Sequence, residues 1–169
     1  MQRVNCLAIN PHNHDQLVSC CDDGCFAVWS LAQFHLRHSF RVANFLKDLH
    51  FVDELTIRVA GSGGVIYQCF VSDGIIRKQM EVIGTCVNAL AECYIESTGE
   101  RLLIFGGDTP QLSYFDLDSN NSQITKVEAY GEITRIAVSP DKKNIIASTV
   151  NGIILSYSVF AVKHKEEEN

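Results

Sequence analysis

The residues of this 169-residue chain best equipped for chemistry are its seven cysteines and six histidines, and their densest grouping is Cys20, Cys21 and Cys25 near His12 and His14. Zinc sites built from such ligands use spaced pairs, C-x2-C with a second pair further along. Cys20 and Cys21 are adjacent instead. On one strand their side chains leave opposite faces, so a single ion does not easily take both. These thiols read as small strand residues beside a solvated turn, and no metal ligand is expected.

Other groupings fare similarly. A cysteine with His50, or a serine with histidine and aspartate, would make a nucleophile, but no G-x-S-x-G signature is present and His50 falls inside a strand pattern. Gly61-Ser62-Gly63-Gly64 could cradle a phosphate only if a helix followed. VIYQCFV follows, which is a strand, so the glycines read as a hairpin turn. Asp22, Asp23, Asp108 and Glu132 could ligate calcium, but they occupy equivalent turns of separate repeats and read as turn and cap residues. Arg3, Arg41, Lys47 and Arg135 are scattered among acids and form no basic stripe. No catalytic residue and no cofactor is expected, and the chain is read as a non-enzyme.

The elements carrying these residues repeat. Ile133 to Val159 reads as strand, turn, strand, tight turn, strand, with Ser139-Pro140-Asp141-Lys142 and Asn151-Gly152 reversing the chain. Leading apolar residues recur at Val4, Leu46, Val87 and Ile133, spaced by 42, 41 and 46 residues. A second apolar residue follows three positions on, at Leu7, Leu49, Leu90 and Ile136. Tight turns fall at Asp23-Gly24, Gly63-Gly64, Thr109-Pro110 and Asn151-Gly152. Five residues beyond them stand Trp29, Cys69, Phe115 and Tyr157, of which Trp29 and Tyr157 are expected to be buried core residues. So small a sheet cannot bury its faces alone, and a period in the low forties with four strands per copy is the pattern of β-propeller blades.

LVSCCDDGCFAVWSL (17–31), LLIFGGDTPQLSYFDL (102–117) and ITRIAVSPDKKNIIASTVNGIILSYS resemble blades of the WD-repeat β-propeller family. The resemblance runs from about Val4 to Val159. The signature is degenerate: Phe115-Asp116 approximates the Trp-Asp pair, while Trp29-Ser30, Cys69-Phe70 and Tyr157-Ser158 depart from it. The opening Gly-His is replaced by Gly84-Thr85 and Gly131-Glu132.

An all-β protein is therefore expected, with about four blades of four-stranded antiparallel sheet. The repeats run 4–44, 45–84, 85–130 and 131–162, followed by a charged tail at 163–169. Because the family most often has seven blades, four point to an incomplete ring, completed by further blades or another chain, with closure of an unusual four-bladed ring as the alternative. The resemblance implies a non-catalytic scaffold for protein–protein interactions in a multi-subunit complex. The rival is a propeller enzyme or small-ligand binder using a central channel, for which Asp48, His50 and Glu92 are the inner-strand candidates. By the family pattern, one loop face would meet partner subunits through Asp22, Asp23, Lys47, Ser62, Thr85, Asp108, Thr109, Glu132 and Asn151.

A net charge of −6 and a pI near 5.4 argue against non-specific binding to nucleic acid or anionic membrane. An odd number of cysteines, without a signal peptide or an apolar run of roughly 18 residues, points to a reducing compartment, cytoplasmic or nuclear.

Overall fold

The computed structural model describes residues 3–82, 86–96, 98–118 and 124–159, without the side chains of Lys78 and Gln79. Two compact units divide the chain, Met1–Asn88 and Ala89–Asn169. Thr85, the 163–169 tail and the outer strand expected at 160–162 lie outside the described residues.

The first unit holds two four-stranded sheets. Strands β1 (Val4–Ile9), β2 (Gln16–Cys21), β3 (Cys25–Ser30) and β4 (His35–Arg41) follow one another in space as in sequence. So do β5 (Leu46–Phe51), β6 (Thr56–Gly61), β7 (Val65–Phe70) and β8 (Ile76–Glu81). All these pairings are antiparallel. Reversal at each turn gives that arrangement directly: Gly24 and Gly63 take φ of 78° and 76°, a region costly for residues with a Cβ. Phe26, Val28, Val18 and Cys20 of the first sheet pack with Leu46, Leu49, Ile57 and Val59 of the second. Each sheet thereby covers one face of the other.

The second unit repeats the plan. Strand β9 (Val87–Ile95), which begins at the unit boundary, is one edge of a sheet with β10 (Glu100–Gly107), β11 (Gln111–Asp116) and β12 (Thr125–Glu128). Beside it, β13 (Ile133–Val138), β14 (Asn144–Thr149) and β15 (Ile154–Ser158) make a sheet with three described strands. Leu102, Ile104, Leu112 and Tyr114 pack with Ile133, Ile145 and Ala147.

One expectation fails. Of the four residues five positions beyond the tight turns, only Cys69 is fully buried; Phe115 and Tyr157 are half-buried and Trp29 is 37% exposed. Strand side chains alternate, and β3 sends Phe26, Val28 and Ser30 inward, which leaves Trp29 on the opposite face. There its Nε1 donates to Ser19 Oγ at 2.9 Å. The Tyr157 hydroxyl donates to Glu128 O at 2.7 Å.

Candidate functional site

In each sheet whose first-strand register is described, the first strand carries a bulge at the same place. Register slips between Val4 and Cys6, between Leu46 and Asp48, and between Ile133 and Arg135. The extra residues are Asn5, Lys47 and Thr134. A bulge leaves one residue outside the ladder and re-aims its side chain. Here each re-aimed side chain is polar and finds a partner.

In the first unit that partner is Asp22. Its Oδ1 accepts from Asn5 Nδ2 at 2.7 Å and from Lys47 Nζ at 2.9 Å. Asn5 Nδ2 also reaches Leu46 O at 2.6 Å. One carboxylate in the β2–β3 turn thus joins the first strands of two neighbouring sheets. The hydrogen bond from Asn5, followed by that from Lys47, holds the Asp22 carboxyl below the usual aspartate range.

The neighbouring loops close onto the same end. Ser62, in the short turn Ser62–Gly64, accepts from Phe45 N through Oγ, and its own N–H donates to Phe45 O, both at 2.9 Å. A Cβ on Gly24 would stand 2.4 Å from Val42 O, and one on Gly63 would stand 2.8 Å from Asn44 Nδ2. The segment linking the two sheets therefore lies against both turns. Asp23 points elsewhere: Oδ1 accepts from Cys21 Sγ at 2.6 Å and Cys25 N at 2.9 Å, and Oδ2 faces Arg41 Nη2 at 3.4 Å. Of the expected loop-face residues in this unit, Asp22 and Lys47 meet directly, Ser62 ties the adjoining turn, and Asp23 faces its own hairpin.

In the second unit, Asp108 and Thr109 lie in the β10–β11 connection, Glu132 just before β13 and Asn151 in the β14–β15 turn. Asp108, Glu132 and Asn151 are exposed and Thr109 is half-buried. Val150 N donates to Glu132 O at 2.9 Å, and a Cβ on Gly131 would meet Asn151 Nδ2 at 2.9 Å. Glu132 and Asn151 therefore share a short strip. Thr134 Oγ1 lies 2.9 Å from Ser148 Oγ and donates to Ser148 O at 3.1 Å.

The opposite end of the first unit has its own tie. Asn10 is fully buried; Nδ2 donates to Gln16 Oε1 and to Glu54 O, both at 2.7 Å, while Oδ1 accepts from His12 N at 2.9 Å. Asp15 accepts from Ala32 N, from Ser30 Oγ and from Arg37, and the Ala32 amide is the main cause that lowers its carboxyl pKa. Asn5, Asn10 and Asp15 were missed from sequence. One signal was available: the residue after each leading apolar position is Asn5, Lys47, Asn88 or Thr134, polar in every copy.

The residues weighed for catalysis or metal binding are dispersed. His12 and His14 sit in the β1–β2 turn, and Cys21 and Cys25 at the far end of the six-residue strand β2, roughly 17 Å away at the usual strand rise. Cys20 is buried, and burial pushes its thiol pKa well up. Among the described residues no three His, Cys, Asp or Glu side chains are grouped to hold a metal. His50 stands opposite Arg58 in the ladder; burial first, then Arg58, lowers its pKa. Asp48 is buried on the same strand. No described helix is long and apolar enough to cross a membrane.

Comparison with known proteins fits this architecture. The WD domain, G-beta repeat family matches residues 2–30. Cilia- and flagella-associated protein 52 of Chlamydomonas reinhardtii is 30% identical over 90% of this chain and 24% of its own length. The Homo sapiens protein of that name is 24% identical over 91% of this chain and 24% of its own length. The chain thus spans about a quarter of the length of these curated relatives. The crystal structure of the WD40 β-propeller domain of Doa1 superposes with a TM-score of 0.76 at 12% identity, over 92% of this chain and 51% of that one. That likeness concerns the fold alone. Repeat, relatives and fold agree: the chain matches the WD repeat over residues 2–30 and is similar to WD-repeat β-propeller proteins along most of its length.

Proposed function

We propose that this chain is a non-catalytic scaffold that docks other protein subunits in an assembly associated with cilia or flagella. The observation that carries the reading is similarity along nine-tenths of the chain to a protein named for its association with cilia and flagella. WD-repeat propellers serve generally as protein-interaction platforms, and rigid sheets that present fixed loops suit that task. Docking in this reading takes place at the loop end of each unit, where the bulges occur. In the first unit that end carries Asp22, Asp23, Lys47 and Ser62; in the second, taken by itself, it carries Asp108, Thr109, Glu132 and Asn151. Further blades, in the same or another polypeptide, complete the propeller. The place of action is the cytoplasmic side of the cilium or flagellum rather than the nucleus.

A fluorescent tag on the chain, expressed at native level in ciliated cells, tests this. The expected result is signal along the axis of the cilium and stoichiometric recovery of other subunits through the tag. Signal confined to the cell body, with nothing co-purifying, would refute the reading.

A further inference from the structure

Cys21 ends β2 and Cys25 opens β3, with Asp22, Asp23 and Gly24 between them. The register that sets Cys20 opposite Phe26 continues into this pair as the hairpin closes. Opposed Cα atoms in an antiparallel ladder stand about 4.5–5.5 Å apart, within the range of about 4.4–6.8 Å that a disulfide spans. Both thiols are half-buried and within reach of a small reagent, whereas Cys20, Cys69 and Cys93 are buried.

The surroundings differ for the two sulfurs. Cys21 Sγ donates to Asp23 Oδ1 at 2.6 Å and approaches Cys25 O at 3.4 Å. Arg41, directly opposite Cys25 in the β3–β4 ladder, donates from Nε to Cys25 Sγ at 3.2 Å. The same guanidinium lies 3.4 Å from Asp23 Oδ2. Thiol, carboxylate, guanidinium and second thiol thus form one chain of contacts around a three-residue turn. The positive charge against the Cys25 sulfur favours its thiolate, the form that attacks in thiol–disulfide exchange, while burial and the carboxylate against Cys21 hold that thiol protonated. The Arg41 charge also makes the spot unfavourable for a metal cation.

We propose that Cys21 and Cys25 form a dithiol site that small-molecule disulfides of the glutathione class oxidise to an intrachain disulfide. Cys25, as thiolate, attacks one sulfur of the reagent and breaks its S–S bond. One reagent half leaves as thiolate, takes up a proton and becomes a thiol, and the other half stays on Cys25 as a mixed disulfide. Cys21 gives up its proton to solvent, and its thiolate attacks the Cys25 sulfur. The second reagent half leaves as thiolate and takes up a proton. Two protein thiols and one reagent disulfide become one protein disulfide and two reagent thiols. Cys21 is the resolving partner because burial, and then its hydrogen bond to Asp23, keep it protonated at rest. Asp22, which holds Asn5 and Lys47, sits within the same turn, so the bridge would form beside the tie between the sheets.

The test treats the folded full-length chain with oxidised glutathione, then blocks free thiols and locates the modifications by fragment mass spectrometry. The expected product lacks two hydrogens and carries a bridge between Cys21 and Cys25. Cys21→Ser should stop at one glutathione adduct on Cys25, and Cys25→Ser should take up none at this turn. Arg41→Gln should slow the first step on the order of tenfold while circular dichroism stays native. A bridge between Cys6 and Cys20 instead, no bridge at all, or an unchanged rate in Arg41→Gln would overturn the proposal.

Discussion

Lys47 Nζ stands 2.9 Å from Asp22 Oδ1 and joins the bulge of β5 to the β2–β3 turn of the preceding sheet. Both side chains are about one-third exposed, so the ion pair taken alone is weak. Asp22 also satisfies Asn5, which makes the carboxylate the more sensitive end. Urea unfolding of Asp22→Ala, Lys47→Ala and the double variant should give a coupling of about 0.2–1 kcal/mol. Asp22→Ala should cost more than Lys47→Ala. Strictly additive effects would show that the contact does not join the sheets energetically.

Acid should destabilise the chain in two stages. An unfolded histidine titrates near pH 6.5 and an unfolded aspartate near 3.9, about the values of free side chains. Burial depresses the His50 pKa, so just below about pH 6.5 the unfolded state binds the extra proton and stability falls. Asp15, Asp22, Asp23, Asp118 and Asp141 all have lowered folded-state values, chiefly through hydrogen bonds to the carboxylates. Their contribution is complete above about pH 4 and disappears as pH drops through those lower values. Melting temperature against pH should show both stages, and His50→Asn should remove the first alone.

Gly24 and Gly152 separate two costs. Both adopt φ near 78°, but a Cβ on Gly24 would stand 2.4 Å from Val42 O, while one on Gly152 would meet nothing within 4 Å. Gly152→Ala should lose about 1–2 kcal/mol, the penalty of the left-handed backbone. Gly24→Ala carries that penalty plus displacement of the Val42–Asn44 segment, and should lose clearly more. Equal losses in denaturant titrations would contradict the close approach.

Core truncations should follow burial and not the repeat pattern. Phe26, fully buried between the sheets of the first unit, should cost about 3–5 kcal/mol as Phe26→Ala. Trp29→Ala should cost less, since the ring lies on the open face and keeps one hydrogen bond to Ser19.

That contrast shows what the sequence could and could not reveal. Turn residues and the spacing of Val4, Leu46, Val87 and Ile133 placed strands within a residue or two, because glycine and proline constraints act locally. The buried face of β3 was not legible: CFAVWS offers apolar residues to both faces, and spacing alone cannot say which one meets a neighbour. The links from Asn5 to Leu46 O and from Asn10 to Glu54 O cross 41 and 44 residues and depend on a bulge and on packing between sheets. The loop residues Asp22 and Lys47 were singled out by the family resemblance. Their direct contact required the fold.

The central claim is docking through the loop end, and the most direct measurement is quantitative co-purification from ciliated cells with charge-reversed loops. Glu132 is exposed and Asp108 lies in the neighbouring connection, so Asp108→Lys with Glu132→Lys should leave the circular dichroism and melting profile within about 0.5 kcal/mol of the parent. Ser39→Glu, on the exposed strand β4, serves as a matched control. The account predicts that partner subunits recovered per tagged chain fall severalfold for the loop variant and remain unchanged for the control. Equal recovery from all three chains would contradict docking at this end.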